Sequence, residues 1–212
     1  MAKTPSIFFV SPCILAPLRY IFVMNIFKLS KPNLWTLFLM AAFPTHVWTI
    51  LLAFQDFSWM AERNNSWDAI GVGAYGLLAA FVESVFVFAI ALLLSLLLPR
   101  VWDEKKRLVT LTGLIFAIAI AEILNQLYFL MRWEMPAGVF TLIIHSSHPL
   151  WYLYGLPLFV SILGTGLLFY FSVVSAKFVD GVLNSIERLS LLTTLYLLLD
   201  FVGLIIVIIR NV

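Results

Sequence analysis

Charged residues are scarce in this chain. Asp, Glu, Lys and Arg together make up 11% of its 212 residues, whereas a soluble domain carries about 25%. Hydrophobic residues account for 63% of the sequence. Because so few charges cannot cover a water-facing surface, this composition predicts that lipid surrounds much of the protein. The length allows one membrane domain and leaves no room for a soluble catalytic domain beside it.

Cysteine is almost absent, since Cys13 is the only one. A single thiol excludes an intramolecular disulfide and a thiolate metal site. The net charge is only +2, and its scattered basic residues lack the concentrated basic surface that binds nucleic acid. The sequence contains no P-loop, dinucleotide fingerprint, nucleophile elbow or zinc-protease helix. We therefore expect no cofactor and no nucleic-acid partner, and the sequence favours a non-enzymatic protein.

Long apolar runs are abundant, and five of them reach the roughly 20 residues that cross a bilayer. They occupy about residues 34–54, 70–98, 108–131, 150–176 and 189–209. The sequence thus predicts an all-α fold, a polytopic integral membrane helix bundle with five transmembrane helices in one domain, residues 34–212. We expect the run 108–131 to organise the bundle. Glycines at the start of the second run and in the fourth predict tight helix packing there.

Residues 1–33 fit more than one interpretation. The apolar stretch Ile7–Phe27 is interrupted by two prolines and an arginine, Pro12, Pro17 and Arg19. These residues would break a spanning helix and place a charge near its middle. We therefore predict an N-terminal segment that lies in the membrane interface. A sixth span, a signal peptide and a true start at Met24 are the alternatives.

Lysine and arginine are unevenly shared between the two sides of a five-span topology. One side holds ten: Lys3, Arg19, Lys28, Lys31, Arg100, Lys105, Lys106, Arg107, Lys177 and Arg188. The other side holds three: Arg63, Arg132 and Arg210. Because cytoplasmic loops carry the excess of these residues, we predict a cytoplasmic N-terminus and an outer C-terminus, in the cell (plasma) membrane.

Three of the spans each carry a carboxylate at membrane depth: Glu83, Glu122 and Asp200. No Lys or Arg lies within the five spans to pair with them, and an unpaired charge in hydrocarbon is unfavourable. Asn125 and Gln126 share the helix face of Glu122. If the helices converge, these five residues form an intramembrane polar cluster that His46 borders. Such a cluster fits a proton or cation pathway, hydrogen bonds between helices, or contact with a partner subunit.

Two histidines, His145 and His148, lie close together in the predicted outer loop. A pair at i and i+3 can bind a metal on a helix, but a site needs further ligands. The sequence Ser-Ser-His-Pro disfavours a regular helix there. We therefore predict no metal site and interpret the pair as interfacial polar residues. Ligation of haem or chlorophyll by a histidine at a span end is the alternative.

Five spans with the N-terminus inside and the C-terminus outside resemble the membrane domain of lipoteichoic-acid-synthase-like phosphoglycerol transferases. Residues 125–129, Asn-Gln-Leu-Tyr-Phe, with Arg132 after them, are similar to the end of the third span in that family. The resemblance implies lipid or cell-envelope phosphoglycerol transfer, which in that family belongs to a large sulfatase-like extracellular domain after the fifth span. The sequence ends at Val212, so we expect that catalytic part to be absent.

Taken together, these patterns favour an accessory or scaffold subunit of a membrane assembly. Its expected partners are the lipid bilayer and other membrane protein subunits or a second copy of itself. One alternative is a small proton- or cation-coupled transporter that uses the intramembrane carboxylates. The other is a membrane enzyme on a lipid-like substrate, with the loop Arg132–His148 near the head group.

Overall fold

The computed structural model describes residues 29–127 and 136–212. Six helices fill most of these ranges: α1 Lys31–Arg63, α2 Ser66–Ser95, α3 Glu104–Asn125, α4 Ala137–Ile144, α5 Pro149–Val174 and α6 Ala176–Asn211. All but α4 are long and apolar enough to cross a membrane. The described ranges contain no strand, so the predicted all-α fold with five long apolar helices is confirmed. The predicted interfacial segment lies outside the described residues except for its last five.

Several helices are longer than the apolar runs that predicted them. Helix α1 continues through residues 55–63, beyond the predicted span 34–54. This stretch is polar but contains neither Gly nor Pro, so nothing in it stops a helix. Helix α6 begins at Ala176, thirteen residues before Leu189, and Ser175 caps it by accepting a hydrogen bond from the backbone N–H of Phe178 at 3.2 Å. Hydropathy therefore located the apolar part of these helices, and side-chain caps mark the starts of α2, α3 and α6.

Helix α1 lies at the centre of the bundle and packs against α2, α3 and α6. Its buried side chains include Leu37, Met40 and Ala41, which share one face because they are three and four residues apart. The sequence analysis expected the run 108–131 to take this central place. Helix α3, which covers most of that run, packs mainly against α5 and α1. The consecutive small residues Ala41 and Ala42, both fully buried, explain why neighbouring helices approach α1 closely.

Glycines explain the close approach of α2 and α6, but not the packing of α5. A Cβ atom added at Gly203 would lie 3.4 Å from the carbonyl oxygen of Ala74 on α2. In contrast, a Cβ at Gly155, Gly164 or Gly166 on α5 would meet nothing within 4 Å. The predicted tight packing of the fourth span at these glycines is therefore wrong. Spacing alone does not reveal whether a small residue faces a neighbour or open space.

The end of the bundle where α1, α3 and α6 begin is held by a buried arginine. Arg107 is 2% exposed and donates hydrogen bonds to the carbonyl oxygens of Ser95 at 3.2 Å, Leu98 at 3.2 Å and Pro99 at 2.8 Å. Ser95 is the last residue of α2, where the helix dipole favours a positive charge, and Leu98 and Pro99 follow in the turn after it. At the same end, the backbone N–H of Ser30 donates to the Glu104 carboxylate. These contacts join the starts of α1 and α3 to the end of α2.

The opposite end is held by the last helical turn of α6. Arg210 donates to the carbonyl oxygen of Trp67 at 2.6 Å and to the Asp68 carboxylate at 2.8 Å. Its guanidinium occupies the space above Gly71, where an added Cβ would lie 2.4 Å from the guanidinium carbon. Asn65 caps α2 by accepting a hydrogen bond from the backbone N–H of Asp68 at 2.8 Å. The C-terminal end of α6 is thereby fastened to the start of α2.

Candidate functional site

The six residues of the predicted polar cluster fall into separate places. His46 and Asp200 form a buried pair between α1 and α6. Glu83, Glu122 and Gln126 line a cleft between α1, α2 and α3. Asn125 lines a different groove, between α3 and α5, and Glu122 lies at the edge of both. The three carboxylates therefore do not meet in one place.

The buried pair has a geometry that limits its protonation state. The Nε2 atom of His46 lies 2.9 and 3.1 Å from the two carboxyl oxygens of Asp200, and its Nδ1 atom lies 2.7 Å from the carbonyl oxygen of Ala42. A carbonyl oxygen only accepts, so Nδ1 carries a hydrogen and donates it. The contact between Nε2 and the carboxyl group then needs one more proton, on the ring or on Asp200. In either arrangement the pair has no net charge.

The pair is closely packed and almost wholly buried. His46 is fully buried, and Asp200 is 6% exposed. The Tyr196 ring on α6 lies parallel to the His46 ring, with an interplanar angle of 7° and 6.5 Å between centroids. Next to the pair, the hydroxyl oxygens of Thr45 and Ser84 lie 2.8 Å apart and link α1 to α2. These contacts join three helices through compensated polar groups, which is a structural role.

The second group of polar residues faces a cleft that we call the acidic cleft, of about 210 Å³. Its polar wall consists of Thr45, Trp48, Thr49, Glu83, Glu122 and Gln126, and the rest of its lining is apolar. The Trp48 indole N–H donates to the side-chain oxygen of Gln126, so α1 and α3 are joined at the cleft. Each water molecule in the liquid takes about 30 Å³, so the cleft holds only a few water molecules. That space is enough for one long side chain but too small for a helix.

Glu83 and Glu122 lie at similar heights in the bundle and face outwards. Glu83 precedes the end of α2 at Ser95 by twelve residues, and Glu122 follows Leu108 on α3 by fourteen. At about 1.5 Å per residue, these separations are roughly 18 and 21 Å from the same end of the bundle. Both side chains are exposed. The two carboxylates therefore lie on the open side of the cleft, at the outer surface of the bundle.

The two histidines of the predicted outer loop lie between the short helix α4 and the start of α5. His145 follows α4, and its Nδ1 atom lies 2.9 Å from the carbonyl oxygen of Thr141. His148 precedes α5 and makes no capping hydrogen bond with its side chain. Across residues 29–127 and 136–212, no group of three His, Cys, Asp or Glu side chains could hold a metal ion.

The most important contact that sequence reasoning missed is the pairing of His46 with Asp200. A signal for it was present: His46 follows Leu34 by twelve residues and Asp200 follows Leu189 by eleven, so both lie at the same height. From the sequence alone, His46 is expected only at the border of the polar cluster, because the three carboxylates define that cluster.

Comparison of this chain with protein-family models, curated proteins and solved structures finds no match, so no relative assigns it a function by similarity.

Proposed function

We propose that this chain is a multi-pass integral membrane protein without enzymatic activity, which holds another membrane protein at the acidic cleft. The observation that carries the proposal is the position of Glu83 and Glu122 on the outer side of one cleft, within two long apolar helices and far from the end where α3 begins. In a bilayer this surface faces hydrocarbon, where an uncompensated carboxylate is strongly disfavoured. A partner that supplies hydrogen-bond donors or a positive charge removes this penalty.

The compensating group comes from a different protein. No Lys or Arg lies within the five apolar runs of this chain, so a second copy brings no cation to the height of Glu83 and Glu122. Two copies would instead place carboxylates against carboxylates. The partner we infer is a transmembrane helix with a Lys or an Arg side chain at its middle, and the small cleft is suited to receive that one side chain.

Transport is less well supported than partner binding. A proton or cation pathway needs titratable groups that follow one another within reach of water. Asp200 instead pairs with His46 in a buried contact, and the other two acids line a separate cleft. This separation favours a structural role for Asp200 and a binding role for Glu83 and Glu122.

The orientation we propose has the N-terminus in the cytoplasm and the C-terminus outside the cell membrane. The starts of α1 and α3 and the end of α2 meet through Ser30, Glu104 and Arg107, at the end that carries most of the Lys and Arg residues. Arg210 lies at the other end, against the start of α2. This arrangement agrees with the excess of positive charge on the cytoplasmic side of membrane proteins.

Photo-crosslinking in native membranes tests the proposal. A photoreactive residue at Ile90, which is exposed and lines the acidic cleft, should give one discrete protein adduct. The same residue at Leu195, exposed on α6, is the control and should give none. The adduct should be lost in Glu83→Gln/Glu122→Gln at unchanged protein abundance.

Three results would contradict the proposal. Crosslinking from Ile90 to lipid alone would mean that no protein occupies the cleft. An adduct that proves to be a second copy of this chain would rule out the inferred partner. Proton or sodium flux in vesicles that contain only the purified chain, with loss of flux in Glu122→Gln at normal abundance, would favour transport instead.

A further inference from the structure

A large apolar cavity of about 750 Å³ lies between α3, α5 and α6, and α4 borders one end of it. Along α3 its lining runs from Thr112 to Leu124, twelve residues that span roughly 18 Å at about 1.5 Å per residue. This length exceeds the roughly 15 Å of one leaflet in a hydrocarbon core of about 30 Å. The cavity is therefore long enough for an extended chain to lie along its length.

The cavity exists because α5 and α6 separate after a very short connection. Ser175 alone joins them, yet α5 packs mainly on α3 while α6 packs mainly on α2 and α1. The walls are mostly hydrocarbon, for example Phe116, Ile120 and Leu168. Gly164 lies in the α5 wall, and a Cβ there would meet nothing within 4 Å. Side chains of the described residues thus leave this space open, and its lining suits an apolar occupant.

One end of the cavity lies next to a basic residue. Ser185, Ile186 and Leu189 of α6 line the cavity, and the exposed Arg188 lies between them in sequence. Leu189 begins the apolar run of α6, so Arg188 lies where that run meets the polar interface. Ten of the thirteen Lys and Arg residues belong to this side of a five-span topology. Arg188 does not line the cavity itself; it lies beside one end of it, next to the equally exposed Glu187.

We propose that this cavity binds one anionic phospholipid from the bilayer, with an acyl chain inside and the phosphate group near Arg188. Hydrocarbon walls exclude an ion or a polar metabolite, while a cavity of this size lies in the range of roughly 300–1,000 Å³ that encloses small ligands. Arg188 beside the cavity favours an anionic head group, because Lys and Arg near a membrane surface attract anionic lipids. The site is separate from the acidic cleft and does not depend on the function proposed for it.

Native mass spectrometry of the full chain in detergent tests whether the cavity prefers a lipid with an anionic head group. The probes are phosphatidylglycerol and phosphatidylcholine with identical acyl chains. We expect one tightly bound phosphatidylglycerol per chain, and a preference for it over phosphatidylcholine of about fivefold from one basic residue. Arg188→Gln should abolish this preference and retain a bound lipid. Equal binding of the two lipids to the wild type, or a preference that survives Arg188→Gln, would refute this role of Arg188.

A matched pair of glycine variants tests the cavity itself. Gly164 lines it, whereas Gly166, two residues away on α5, lines the groove with Asn125, and a Cβ at either glycine has open space within 4 Å. Gly164→Phe should lose the bound lipid, and Gly166→Phe should keep it. Should Gly164→Phe fail to fold, Val160→Trp blocks the same cavity from an exposed position that already carries a side chain. Lipid retained by every cavity variant, or lost equally from Gly166→Phe, would overturn the site.

Discussion

Removing the carboxyl group of Asp200 is the most direct test of how the bundle is held together. Asp200→Ala deletes both oxygens that lie within 3.1 Å of the His46 ring. Asp200→Asn keeps the shape and offers an amide N–H to the same ring nitrogen. The two variants therefore separate the loss of the hydrogen bond from the loss of a carboxylate.

The structure sets the expected size of each effect. The Nδ1–H of His46 still donates to Ala42 in both variants, so only the Nε2 atom of the ring changes its partner. In Asp200→Ala, the Nε2 atom is left in a fully buried site without its partner, which costs about 1–3 kcal/mol. In Asp200→Asn an amide donor remains. The free energy of unfolding should therefore fall by only about 0.6 kcal/mol, the average contribution of a hydrogen bond between membrane helices.

The assay is unfolding of the purified chain in mixed micelles by increasing sodium dodecyl sulfate, followed by far-UV circular dichroism. Asp180→Asn is the matched control, because Asp180 is exposed on the same helix and should not change the midpoint. The reasoning is refuted if Asp200→Asn destabilises the protein as much as Asp200→Ala, since a net charge on the carboxylate would then be required. It is also refuted if Asp200→Ala unfolds at the wild-type midpoint.

Three further substitutions probe the ends and the close contacts of the bundle. Arg107→Leu should lower the free energy of unfolding by about 1.5–3 kcal/mol, because carbonyl groups at the end of α2 lose a charged donor; recovery of most of this loss by Arg107→Lys would support the reasoning. Burial raises the pKa of Glu104, but hydrogen bonds from Ser30 and Asn33 outweigh it, so that the pKa is lowered from its ordinary value of 4.5. Stability from Glu104 should thus be present above pH 4.5 and lost as the pH falls through the lowered pKa; an acid unfolding profile that is unchanged in Glu104→Gln would contradict this. Gly203→Leu should cost about 1–3 kcal/mol by overpacking, measured by the same detergent unfolding, whereas Gly155→Leu should be nearly neutral because a Cβ there meets nothing within 4 Å.

Helix ends were less predictable than helix number. Apolar runs reveal where a chain can be surrounded by hydrocarbon, and in hydrocarbon the backbone must satisfy its own hydrogen bonds, which favours helices. Helix ends depend instead on capping residues outside those runs, such as Asn65, Asp103 and Ser175. A search for caps next to each run would have extended α6 back to Ala176.

The placement and rotation of the helices decide which polar residues meet. The sequence determined by itself that five long apolar helices form and that Glu83, Glu122, Asp200 and His46 lie near their middles, because hydropathy and helical rise are local properties. Only the tertiary structure decided that Asp200 turns inwards to His46, 154 positions away in sequence, while the two glutamates face outwards from one cleft. Contacts between helices depend on their order and rotation in the bundle, and no local spacing in the chain encodes these.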